Sequence, residues 1–66
     1  MLSGSIGKQI RDYRLKKNLR QEDLAEKVNV SPNYIGMIER AEVNTPVDTL
    51  FDIAKALSVN IIELFN

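Results

Sequence analysis

Residues 21–40 read QEDLAEKVNVSPNYIGMIER, and their spacing predicts helix, tight turn, helix. Leu24, Ala25 and Val28 fall on one helical face, and Ile35 and Ile38, three apart, do the same in the second segment. Between them, Asn29 tolerates the left-handed conformation that ends a helix. Ser31 offers a capping oxygen to the next helix. Pro32 suits its first position, where an amide proton would go unsatisfied anyway. A break of three residues, Asn29 to Ser31, admits only a closely packed helix pair.

The same signals recur outward from this motif. Upstream, Ile6, Ile10 and Tyr13 predict a first helix to about Lys17, after a frayed end at Met1 to Ser5 with Gly4 or Ser5 as its cap. Arg14 lies at the edge of the apolar face, whereas Lys8, Arg11 and Asp12 lie opposite. Asn18 is a stop signal. Leu19 and Leu24 bracket Arg20 as a hydrophobic staple brackets a cap, although Arg20 has no acceptor to offer. Asp23 compensates in part through the helix dipole. Val30 and Ile35 bracket Ser31 in the same way, and Val59 and Leu64 bracket Asn60. Thr45, Pro46 and Asp48 read as cap, first-position proline and third-position acid of another helix. Its stripe is Val47, Leu50, Ile53, Ala54 and Leu57, and a last short helix covers Ile61 to about Phe65. Only Ala41 to Asn44 forms a longer polar connection. No strand-like alternation of useful length occurs. The expectation is an all-α chain, five short helices bundled round one core as a single domain over residues 1–66.

Composition bounds the chemistry. Sixty-six residues are near the lower size at which one core is stable without staples. Cys and His are absent, which excludes disulfides, thiolate metal sites and imidazole catalysis. The four aromatics, Tyr13, Tyr34, Phe51 and Phe65, leave an aliphatic core. No apolar run approaches a membrane span, so a soluble, cytoplasmic protein is expected. Net charge is zero, yet residues 1–20 hold six cations against one anion and residues 21–66 hold three against eight. A polarised domain can present a basic face to nucleic acid; ordinary solvated helix charges explain the same count.

These residues resemble the Cro and phage-repressor type of helix-turn-helix domain, the XRE family, with its lambda-repressor-like fold. The resemblance runs from about Ile6 to Phe65. It rests on Q-E-D-L-A-E-K-V, Ser31-Pro32, the Ile-Glu-Arg ending at Arg40, and Pro46 followed by L-x-x-I-A-K-A-L-x-V. Ala25 matches the small residue at the helix crossing. Asn29 stands where glycine is usual, and Arg20 replaces the usual Thr or Ser cap. The resemblance implies double-stranded DNA as partner, a recognition helix at about 32–40 in the major groove, and regulation of transcription, as by a repressor.

With Ile35 and Ile38 turned inward, Asn33, Gly36, Met37 and Arg40 share the outward face. Asn pairs bidentately with adenine, and Met37 suits a thymine methyl. The expected base-reading residues are Pro32, Asn33 and Met37. The resemblance places Gln21 on a phosphate at the start of helix two, and matches Arg40, Asn44 and Thr45 to phosphate-contacting positions. Thr45 is equally explained as a cap and Asn44 as a turn residue. Tyr34, between core and surface, reaches a phosphate or simply packs. The resemblance also pairs Arg14 with Glu39 as an internal salt bridge that holds the reading helix in register.

One recognition helix reads too few base pairs for useful specificity, so a homodimer is expected. Ile61, Ile62 and Phe65 offer apolar surface for it, with core closure competing for at least one of them. No nucleophile sits beside a plausible base and no glycine-rich phosphate loop appears, which argues against an enzyme. No cofactor, metal or small-molecule substrate is expected. The rival reading is a protein-interaction module on the same fold, an antitoxin or developmental regulator.

Overall fold

The structure, a computed structural model, describes the backbone of residues 2–65 and the side chains of residues 6–65. Four α-helices and a 3-10 turn follow in order: α1 Leu2–Lys16, α2 Gln21–Val28, α3 Pro32–Glu39, α4 Val47–Ala56 and the turn Ile61–Phe65. Among the described residues there is no strand. The all-α expectation holds, with one correction of count. The last segment is 3-10 rather than a fifth α-helix. Its bond from Glu63 N to Asn60 O, 2.9 Å, spans three residues, and five residues are too few to build an α ladder.

Two helix starts also differ from the sequence reading. Gly4 and Ser5 lie inside α1 and cannot cap it, since a cap needs non-helical backbone. Met1, the first residue of the expected frayed end, falls outside the described residues. At α4 the cap position is Pro46, not Thr45: with ψ 151 Pro46 is extended, and its carbonyl takes the first helical bond from Leu50 N at 3.0 Å. Ser31 caps as expected, its Oγ accepting from Tyr34 N at 3.1 Å. Arg20 contributes no capping acceptor; instead the Asp23 carboxylate accepts from Arg20 N at 2.8 Å, half of a capping box.

The four α-helices end alike. Asn18, Asn29, Ala41 and Ser58 all have φ near 60. In each case the following amide reaches back five residues: Leu19 N to Arg14 O, Val30 N to Ala25 O, Glu42 N to Met37 O and Val59 N to Ala54 O, at 2.8–3.0 Å. This is the Schellman closure, built without glycine. Left-handed backbone costs an L-residue about 1–2 kcal/mol, less for Asn. Ala41→Gly and Ser58→Gly should therefore each raise stability by roughly 0.5–1 kcal/mol, whereas Asn29→Ala should lower it. Urea midpoints of the three variants check this, and equal shifts for all three would contradict it.

The buried core takes Ile10 from α1, Leu24 and Ala25 from α2, Ile35 and Ile38 from α3, Leu50, Ile53, Ala54 and Leu57 from α4 and its end, and Leu64 from the 3-10 turn. It is aliphatic throughout. Tyr13 and Tyr34 pack at its margin, and Phe51 and Phe65 are exposed. Both members of each staple pair join it, Leu19, Val30 and Val59 being partly buried against it. The helices α2 and α3 pack on one another, and α1 crosses α3. The crossing is close because of Gly7: a Cβ there would sit 2.5 Å from the carbonyl oxygen of Ile38 and 2.7 Å from that of Glu39.

Candidate nucleic-acid interface

A buried polar chain ties three helices together beneath α3. Arg14 and Glu39 are 6% and 8% exposed. The guanidinium donates from Nε to Glu39 Oε2 at 2.6 Å and from Nη2 to Oε1 at 3.1 Å. Its Nη1 donates to Leu19 O at 2.8 Å, in the turn between α1 and α2. Gln21, the first residue of α2, donates from Nε2 to Glu39 Oε1 at 3.1 Å. A carboxylate only accepts, so the Gln21 nitrogen has to face Glu39 and its amide orientation is determined. The bidentate pair is fully hydrogen-bonded, which a buried ion pair needs in order to offset its desolvation. The link from Glu39 to Gln21 carried no sequence signal, since the two are far apart in the chain.

The outward side of α3 differs from expectation at one position. Pro32, Asn33 and Arg40 are exposed and Met37 is half-buried, but Gly36 is buried and faces inward. Gly36 flanks the Ile35 stripe and looks onto α2: a Cβ there would lie 3.5 Å from the Gln21 side-chain amide and 3.0 Å from Arg40 Nη1. The remaining face is Asn33, Met37 and Arg40, each about one helical turn from the next. Asn33 Nδ2 donates to Met37 Sδ at 3.6 Å. Thioether sulfur is a weak acceptor, so this contact orients the amide and yields readily to a base edge. Tyr34 packs against the core.

Beyond α3, Val43 packs on the core, and Asn44 and Thr45 line an apolar cleft of about 250 Å³ with Ile6, Ile38, Leu50 and Phe65. Asn44 is exposed and Thr45 partly so. Arg40 turns toward Glu42, with Nε to Oε2 at 3.0 Å and Nη2 to Oε1 at 3.2 Å. These hydrogen bonds, and after them the opposite charge, favour the ionised forms, raising the Arg40 pKa and holding the Glu42 carboxyl below its usual range.

The basic N-terminal stretch is less available than its count suggests. Lys8 pairs with Asp12 at 3.0 Å, Arg14 is buried on Glu39, and Arg20 binds Glu22 at 3.0 Å and Asp23 at 3.2 Å. Lys16 lies over the Tyr13 ring. No group of His, Cys, Asp and Glu among the described residues is arranged to hold a metal ion, and no described helix is long and apolar enough to cross a membrane.

Residues 10–64 match the helix-turn-helix family model. This chain belongs to that helix-turn-helix family. The XRE-type resemblance read from the motif is borne out. The control protein C.SmaI of Serratia marcescens is 41% identical over 59 residues, covering 89% of this chain and 70% of that protein. The immunity repressor protein of Bacillus phage phi105 is 37% identical over 57 residues, covering 86% of this chain but only 40% of the repressor. Among solved structures, the restriction-modification controller protein C.AhdI from Aeromonas hydrophila superposes with a TM-score of 0.90 at 32% identity, covering 94% of both chains. Within the matched residues 10–64 lie α2 and α3, packed on one another across the turn at Asn29.

Proposed function

We infer that this chain binds double-stranded DNA and regulates transcription, by laying α3 in the major groove. The family match and relatives named as control and repressor proteins support the activity. The observation that carries the mode of binding is the outward Asn33, Met37, Arg40 face on a helix fixed in register by the buried Arg14–Glu39–Gln21 chain. Pro32, Asn33 and Met37 meet base edges. Gln21, Arg40, Asn44 and Thr45 take phosphates, with Tyr34 at the margin. The regulator works in the cytoplasm and needs no cofactor.

It acts as a homodimer. Ile61 packs against the core and is spent there. Ile62 and Phe65 are 64% and 45% exposed, and α4 adds Val47 at 64% and Phe51 at 55%, four apart on one face. Exposed apolar side chains of this size on two packed elements suit a self-complementary contact.

The test is selection of bound sequences from a random duplex library. Asn33→Ala should cost roughly 1–3 kcal/mol on the preferred site and relax preference at one base pair per half-site, with little change on unrelated duplex. The affected pairs should recur symmetrically about one helical turn, or a multiple of it, apart. A variant that selects the same sequences with the same discrimination removes Asn33 from the reading set. Asymmetric, single-site selection removes the dimer.

A further inference from the structure

Glu42 breaks a pattern the other helix ends keep. At the ends of α1, α2 and α4 the residue after the left-handed position is Leu19, Val30 or Val59, each packed against the core. After Ala41, at the end of α3, the equivalent residue is Glu42, which is exposed. The aliphatic contact passes to Val43 instead. The turn is closed from Glu42 N to Met37 O at 2.8 Å, which fixes the Glu42 backbone beside the last turn of α3.

Its carboxylate therefore meets the Arg40 guanidinium as a fork on a fork, at 3.0 and 3.2 Å. Both side chains are about half exposed, 55% and 50%. Behind the guanidinium lies Gly36, whose missing side chain leaves room for Nη1. A carboxylate and a phosphate offer the same pair of anionic oxygens to an arginine fork, so one arginine cannot give the same two donors to both.

We propose that Glu42 is an internal stand-in for a DNA phosphate: it occupies Arg40 in the free protein and is displaced when α3 docks, which lowers affinity for duplex of any sequence. This rests on the reading of Arg40 as a phosphate contact. Because the penalty is independent of base sequence, it falls on operator and unrelated duplex alike, and the base contacts of α3 add affinity on the preferred site alone. The carboxylate thus lowers overall affinity and leaves discrimination between operator and bulk DNA to the base contacts.

Titration of a labelled duplex of unrelated sequence at low salt, with wild type, Glu42→Gln, Arg40→Ala and the double variant, tests it. Glutamine keeps the size of the side chain and removes its charge, and Glu42 is exposed, so the fold is retained; thermal melting verifies that. Glu42→Gln should bind more tightly than wild type. That gain should be about two- to fivefold larger with Arg40 present than in the Arg40→Ala background, the range expected for breaking an exposed ion pair. An equal gain in both backgrounds would show a bulk charge effect and overturn the stand-in role, as would weaker binding by Glu42→Gln, which would make Glu42 a support for Arg40. Wild type that binds no duplex at low salt would instead sink the DNA reading itself, and this inference with it.

Discussion

Glu39→Ala should leave the protein largely unfolded, or melting far below wild type. Glu39 is 8% exposed and accepts two bonds from Arg14 and one from Gln21. Removing it strands a guanidinium that is itself 6% exposed. Breaking a buried pair from one side costs about 3–5 kcal/mol, because the remaining charge stays desolvated. One core of this size supplies about that much stability in total. Leu19 O still accepts from Arg14 Nη1, which softens the loss without neutralising the charge. Replacing both residues by Ala removes both charges, so the double variant should cost clearly less than the sum of the single ones. Urea unfolding followed by helical circular dichroism gives the four free energies, and additive values would mean that the pair does not couple.

Gly7→Ala should also destabilise the protein, against the local rule for a helix interior. On propensity alone, alanine gains about 1 kcal/mol over glycine. Here the new methyl meets the backbone oxygens of Ile38 and Glu39 at 2.5 and 2.7 Å, and no side-chain rotation relieves backbone. Helix α1 must lift off α3, which loosens Ile10 and strains the Arg14–Glu39 bonds. Overpacking of this kind costs about 1–3 kcal/mol and sometimes more, so a net loss of about 2 kcal/mol is expected. Gly36, in α3, is the control. At Gly36 the nearest atom is the end of the Arg40 side chain at 3.0 Å, which can swing aside. Gly36→Ala should be neutral or slightly stabilising. Chemical denaturation of the two variants decides the matter, and a Gly7→Ala protein as stable as wild type would mean that α1 does not press on α3.

What the sequence determined by itself was most of what neighbours along the chain set. The turn at Asn29, the Ser31 cap and the three staple pairs act within about five residues, where helical periodicity fixes which atoms meet. The aliphatic stripes of the helices are local in the same sense, and with them came the core, the motif and the family. Local rules misplaced a cap from Pro46 to Thr45 and read a 3-10 turn as α, since helix ends differ by small backbone rotations. Tertiary structure alone decided what depends on how helices cross. Gly7 reads as an indifferent residue until α1 lies on the carbonyls of α3. Gly36 sits beside the outward face on a helical wheel, and only the approach of Gln21 from α2 makes it inward. The left-handed Ala41 and the Arg40–Glu42 fork were hidden for a related reason: nothing in Ala or Glu announces positive φ or a partner two residues away. Both follow from α3 having to stop and turn where Val43 can reach the core.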